Sequence, residues 1–438
     1  LSNEELQKKF AQVVLNCLRE NQQSQPPEEI FSRLSQIRVD FALVLVQRLI
    51  QANSLAVHGR HLLSEVWKTI SSLREKFERP VPDGDLLYYR SLLKLLFLAV
   101  RVNAEAKPVS RADNLKASMR VGQSSDIIPI VIDILKYVVS NGLRETASAI
   151  HENLASSSPE DLSLITGIMQ SCLRIPGIEL YHQQIVSIMV DNRSAEVAIS
   201  LFSFSDNLAI DGDPIYGELS ILFLLELSSM PLMAEQLAVN GILSHIASAN
   251  ITSYLRRPGV SPFVDGTGLQ RCYGIWARGI LPLLLNLLDA VQASIAVEVA
   301  LFLAQFQVLL TQCEQAFDAP ETNRIIPKGQ AKYITLAICS EVHSMALLSF
   351  ILGEFREKLR GAVDIPDVKW DAASVLENVE FWLGSKALLR ERIVPMGERE
   401  VEMLKKRSAG QNVVSKLEEK IVADLEGIRV VLSDKENM

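Results

Sequence analysis

The residues of this 438-residue chain that could do chemistry are its six histidines, its five cysteines and scattered acids. His58 and His61 stand three apart, a spacing that places two imidazoles on one helix face. Zinc takes three or four ligands, and no cysteine or third ligand lies near the pair, so it reads as a surface or loop pair. His151-Glu152 opens like the helix of a zinc protease, but Ala155 stands where the second histidine is needed. Gly266-Thr267-Gly268 has Arg271 in place of the third glycine of a dinucleotide loop and follows no strand, so it reads as a plain turn. Neither G-x-S-x-G nor a Walker loop occurs. No catalytic residue, cofactor-binding residue or metal ligand is therefore assigned; no cofactor is expected, and an enzyme is not expected.

The remaining local signals have plain readings too. Cys17, Cys172, Cys272, Cys313 and Cys339 are scattered without a C-x-x-C pair, as reduced thiols of a cytosolic or nuclear protein would be. Asn192-Arg193-Ser194 and Asn250-Ile251-Thr252 match the glycosylation sequon, a chance match in a sequence without a secretory signal. Lys405-Lys406-Arg407 sits among acids and reads as a solvated helix face. Trp67, Trp276, Trp370 and Trp382 are too far apart for a binding box and are assigned to packing. A net charge of −8 argues against a nucleic-acid binder or a protein of anionic membrane surfaces. No transmembrane segment is expected, since charges bound every long apolar run. The first residue is Leu, so the sequence is read as a piece of a longer protein.

With 48% hydrophobic, 22% charged and only 6% aromatic residues, the elements that would position any site are Leu- and Ile-rich helices. Ser2 to Glu5 has capping-box spacing ahead of a stripe of Phe10, Val13, Val14, Cys17 and Leu18. A second helix is predicted from Glu28 and Glu29 through Ile37, the Phe41 to Ile50 run is assigned to a helix ending near Asn53, and others follow over His61 to Phe77 and Leu86 to Val102. Asp126 to Ser140 reads as a helix ended by Gly142, and another runs through Ile150. Ser158-Pro159-Glu160-Asp161 is a strong start for a helix to Leu173, closed by Pro176-Gly177. Ile178 to Val190, Ala195 to Phe204 and Ile215 to Leu227 follow, the last after an Asp211-Gly212-Asp213-Pro214 turn. Beyond Phe317, helices are expected over Ala331 to Leu359 and Val368 to Leu389. Val414, Leu417, Ile421, Leu425, Ile428 and Leu432 step by three or four, an amphipathic terminal helix suited to capping a stack.

No alternating strand pattern is present, so the class is all-α. Leu269 to Phe317 is the most apolar stretch and reads as three helices divided first at Gly279. Gly279-Ile280-Leu281 echoes Gly241-Ile242-Leu243, 38 positions earlier, where a short helix from Pro231 ends at the glycine. That is near the armadillo and HEAT period of about 40–47 residues. The expected architecture is an α-solenoid of stacked armadillo/HEAT-like repeats. It comprises N-terminal repeats over 1–104, a linker or loop over 105–125, the main array over 126–392 and a terminal helix within 397–438.

Three segments carry a family resemblance: Asn250-Ile251-Thr252-Ser253-Tyr254-Leu255, the Gly266-Thr267-Gly268 turn, and Arg271-Cys272-Tyr273-Gly274-Ile275-Trp276. With the Leu281-Pro282-Leu283-Leu284 and Gln305-Phe306 runs, they resemble the C-terminal region of the large inner-ring scaffold nucleoporins of the nuclear pore. The likeness is greatest to the smaller of the two fungal paralogues and extends over most of the chain. The resemblance implies a karyopherin-like α-solenoid at the nuclear pore complex in the nuclear envelope. It implies partners among other nucleoporins, both linker helices and Phe-Gly repeats, with no nucleic acid and no small-molecule substrate. No catalytic residues come with it, and the partner-binding residues stay unknown. The alternative at this point is a soluble transport receptor of the karyopherin type.

Overall fold

The computed structural model describes residues 3–23, 28–52, 59–73, 83–105, 127–264, 266–318, 333–405 and 414–436. Those residues are mostly helical with no strand among them; isolated bridges pair Ile210 with Asp213 and Ile334 with Ile393. The chain divides into two compact units, Leu1–Ala198 and Ile199–Met438. Ser2, the 106–126 segment, His58 and Lys406-Arg407 lie outside the described residues.

The first unit starts with α1 (Asn3–Gln23), α2 (Glu28–Gln51), α3 (Gly59–Ser71) and α4 (Asp83–Ala104). The pair α1–α2 packs on α3–α4, and α4 packs on α6 (Pro159–Leu173). Between α4 and α6 in sequence lies α5, continuous over 128–152 with a π-helical turn at Leu135–Ser140. Next come α7 (His182–Asp191) and α8 (Ser194–Ser203), the latter starting in this unit and ending in the second. The start of α6 is as predicted: the Ser158 hydroxyl accepts from the Glu160 N–H, with Pro159 first in the helix. The acids that favour this N-terminus also tie α6 to α4. Arg90 forks onto Asp161 at 2.6 and 2.8 Å, and Lys94 meets Glu160 at 2.6 Å.

Two expectations fail here. Gly142 does not end a helix; α5 runs through it. A mid-helix glycine costs about 1 kcal/mol, which the burial of Leu143 and Ile150 outweighs at about 1.5–3 kcal/mol each. The apolar stripe of α1 is also displaced. Ala11, Val14, Leu15 and Leu18 are buried, whereas Phe10 and Val13 face out.

The second unit opens with α9 (Ile215–Ser228), α10 (Pro231–Val239), α11 (Ile242–Ser248) and α12 (Asn250–Leu255). At its centre is α13 (Thr267–Val291), 25 residues long with a π-helical turn at Ile275–Ile280. Then follow α14 (Ala293–Ala304), α15 (Gln307–Glu314), α16 (Leu336–Lys358) and α17 (Ala372–Gly384). The last three are α18 (Lys386–Arg392), α19 (Glu398–Lys405) and α20 (Lys416–Glu436). Helix α13 is packed by α9, α10, α14 and α16. Leu417, Ile421, Leu425, Ile428 and Leu432 of α20 are all buried, against α16, α17 and α19.

The two echoing glycines do different things. Gly241 is a turn, with φ +68° in the left-handed region. Gly279 is not: it lies inside α13 without a positive φ. A Cβ there would stand 2.5 Å from Cγ2 of Ile221 on α9, so the glycine permits close helix contact. The Leu269–Phe317 stretch does form three helices, but the joints fall at Gln292 (φ 58°) and at Gln305-Phe306.

Similarly, Val368 to Leu389 is not one helix. The Asp371 carboxylate caps α17 by accepting from the Ala373 and Ser374 N–H groups, and the chain breaks again at Ser385. Both α13 and α16 are long and apolar enough to cross a membrane. In this fold their apolar side chains are largely covered by neighbouring helices, and α16 holds the buried Glu341.

Candidate protein-binding grooves

An open groove of about 610 Å³ in the second unit is bounded by α13, α16, α19 and α20. Helical spacing decides what lines it. From α16 come Leu336, Ala337, Ser340 and His343; from α19 come Met396, just ahead of the helix, then Arg399, Glu400 and Met403. Lys420 and Asp424, four apart on α20, complete one side, and Tyr273 and Gly274 lie on α13. Gly427 lets α20 approach α16: a Cβ there would be 3.2 Å from Cε1 of His343. Burial raises the Asp424 carboxyl above its ordinary range, with Lys420 and His343 opposing.

Beneath the groove the side chains are fixed by charge. Arg271 forks onto Asp213 at 2.9 and 2.8 Å and also bonds Glu218, which takes Arg278 on its other oxygen. The turn before α9 is thereby clamped to α13. Gly268 adds to the clamp, because a Cβ there would sit 2.6 Å from the Gly212 carbonyl. Deeper, Glu341 of α16 is buried, and among the described residues no cation pairs with it. It accepts from the Tyr273 hydroxyl at 2.6 Å and from the Trp276 indole at 2.9 Å. Desolvation lifts its pKa to about 7 despite those two bonds.

A smaller groove, of about 460 Å³, lies between α15, α16 and the segment before α17. Arg356 pins that segment through the Ile365 and Pro366 carbonyls and Asp367. Trp370, buried, lines it beside Val368 and Leu352.

The larger groove is lined by Ser340, His343 and Asp424, but among the described residues no hydrogen bond joins the three. Both grooves offer apolar side chains within a mixed-charge rim, which suits an amphipathic helix anchored at i, i+3, i+4 and i+7. Among the described residues no cluster of three metal-ligating side chains exists, and His61 bonds Arg19 at 3.0 Å. Cys172, Cys272, Cys313 and Cys339 are buried as free thiols. Trp276, Trp370 and Trp382 are buried in packing, and Trp67 is half-buried. Sequence reading missed Glu341 and the Arg271–Asp213–Glu218 cluster. Their signal was a charge inside or at the edge of an apolar helical run, which has meaning only once its partner is known.

A stack of antiparallel helices that presents grooves and holds its charges in structural pairs belongs to the class of helical-repeat scaffolds. The family follows from comparison with known proteins. Residues 62–432 match the model of the nuclear pore protein NUP188 C-terminal domain, so the chain belongs to that family. The chain is 40% identical over 461 aligned positions to nucleoporin NUP188 of Chaetomium thermophilum, covering 96% of this chain and 24% of that protein. Nucleoporin nup184 of Schizosaccharomyces pombe is 29% identical over 54% of this chain and 14% of its own length. The chain thus spans about a quarter or less of the curated relatives it matches. A solved structure, Nup188(aa1445-1827) from Myceliophthora thermophila, superposes with a TM-score of 0.73 at 42% identity, over 84% of this chain and 98% of that one. The fold class read from the sequence, an all-α helical solenoid, is that of this domain.

Proposed function

We propose that this chain is the C-terminal part of a structural scaffold of the nuclear pore complex, placed in the inner ring at the nuclear envelope and without enzymatic activity. It binds other nucleoporins, amphipathic linker segments first and Phe-Gly repeats second, through grooves between its helices, and so supports nucleocytoplasmic transport. It corresponds to the smaller of the two fungal inner-ring paralogues, and its last helix, within 397–438, caps the stack. The observation that carries the reading is the family match across residues 62–432 together with a 42% identical solved domain of the same fold. The match is to a pore component, which favours resident scaffold over the transport-receptor alternative.

The test is capture of nucleoporin linker peptides and Phe-Gly repeats on the immobilised chain, against Ser340→Trp and Met403→Asp, which obstruct the larger groove. Linker peptides should be held by wild type and lost by both variants, and Phe-Gly capture should be weak and tolerant of salt. Capture by wild type that both variants retain in full would place binding elsewhere. Phe-Gly capture that vanishes at moderate salt would make charge the cause.

A further inference from the structure

The charges around the larger groove are layered. Asp213 and Glu218 lie beneath it, and all of their carboxylate oxygens are taken by Arg271 and Arg278. The acids are the inner layer: the Glu218 side chain is 7% exposed, whereas that of Arg278 is 59% exposed. Gly274 gives the pair its place on α13, since a Cβ there would stand 2.8 Å from both Nη2 of Arg278 and Oε1 of Glu218. Arg278 uses one nitrogen on Glu218, and its Nε and Nη1 carry no bond among the described residues.

The facing walls add cations without adding partners for them. Arg399 of α19 and Lys420 of α20 line the groove, are exposed, and make no ion pair among the described residues. The two lining acids are less available. Glu400 accepts from the Met396 N–H at 2.8 Å, and Asp424 is half-buried with Lys420 and His343 acting on it. In a chain of net charge −8, this groove therefore turns guanidinium and ammonium groups outward over buried acids. Between the cations the lining is apolar, from Leu336 and Ala337 of α16 to Met396 and Met403. Methionine adapts to aliphatic side chains of varied shape.

We propose that the larger groove selects an amphipathic helix that carries acids beside its apolar stripe. Carboxylates on that helix meet Arg278, Arg399 and Lys420, and its aliphatic side chains enter between Leu336 and Met403. This rests on the reading of the groove as a helix site and adds the chemistry of the partner. Charge complementarity fixes the choice. A basic segment would face three cations with unused N–H donors, whereas a carboxylate accepts from them in charge-assisted bonds. A nucleic acid fits less well, because Glu400 and Asp424 share the lining and Tyr273 is buried against Glu341, leaving it no face for a base to stack on.

Fluorescence anisotropy of three labelled peptides on the 438-residue chain tests it. The peptides share leucines at i, i+3, i+4 and i+7 and differ only at the flanking positions, which are Glu, Gln or Lys. An exposed charge pair changes affinity about 1.4- to 5-fold. With three such pairs the Glu peptide should bind about tenfold more tightly than the Gln peptide, and the Lys peptide most weakly. Raising the salt from about 0.05 to 0.5 M should bring the Glu peptide to the level of the Gln peptide. Arg399→Gln with Lys420→Gln, at exposed positions that make no ion pair, should weaken the Glu peptide about fivefold and leave the Gln peptide unchanged. Arg399→Glu with Lys420→Glu should reverse the order of the Glu and Lys peptides. Equal binding of all three peptides, lost in Ser340→Trp, would overturn the charge selection and leave the groove reading standing. Binding that Ser340→Trp leaves intact, or no binding of any peptide, would overturn both. A uridine oligonucleotide that displaces the Glu peptide and binds more tightly would make the partner a nucleic acid and overturn the proposal.

Discussion

Replacing Gly279 by alanine puts a single methyl group where α13 and α9 touch, and the outcome can be worked out from the contacts. The new Cβ would lie 2.5, 2.9 and 3.3 Å from Cγ2, Cγ1 and Cβ of Ile221. Ile221 is fully buried and β-branched, so it cannot swing aside. Overpacking of this kind costs about 1–3 kcal/mol, and three short contacts on one stiff side chain place it at the upper end. Alanine returns about 1 kcal/mol through its better helix propensity. The net loss is about 2 kcal/mol, or roughly 4–8 °C in melting temperature for a unit of this size. Ile221→Ala alone should cost about 2–5 kcal/mol through the cavity it leaves. In that background the clash is gone and only the propensity gain remains, so Gly279→Ala becomes neutral or stabilising. The coupling between the two sites is then about 2–3 kcal/mol. Tryptophan fluorescence during urea and thermal unfolding reads the second unit, which holds Trp276, Trp370 and Trp382; Trp67→Phe silences the first unit. An equal cost of Gly279→Ala in both backgrounds would refute the close-contact argument and return Gly279 to the role of a conformational glycine.

Gly241→Ala should behave in the opposite way: its φ is +68° and a Cβ would meet nothing within 4 Å, so it should lose about 1 kcal/mol whatever its neighbours are. Denaturation of Gly241→Ala in wild-type and Ile221→Ala backgrounds checks this, and any coupling would contradict it. Glu341 should make the second unit less stable as pH rises. Its folded pKa of about 7 lies above the ordinary value of 4.5, so the folded state holds the proton that the unfolded state releases. The stabilisation is complete below about pH 4.5, falls through the interval and is gone above about pH 7. Glu341→Gln, which stays neutral, should flatten that part of the stability profile, and an unchanged slope would mean that Glu341 is ionised in the fold.

The sequence alone was sufficient wherever the governing physics is local. Ser158, Pro159 and two acids start α6 because capping and the helix dipole act within one turn. Gly241 ends a repeat helix because its own backbone needs a left-handed φ. The stripe from Leu417 to Leu432 is buried because its period fits one helix face. Tertiary structure decided the rest. Gly279 looked like a second Gly241, since spacing cannot tell a glycine that turns the chain from one that admits Ile221. Phe10 and Val13 were read with Val14 and Leu18 as one stripe, although their helix has two apolar sides and only one is filled within the unit. Glu341 was invisible among the apolar residues of α16 because its partners, Tyr273 and Trp276, lie more than sixty residues away. Local propensity is written in neighbouring residues. The partner that makes a glycine a contact, an acid neutral or an apolar stripe a core is brought in by the fold.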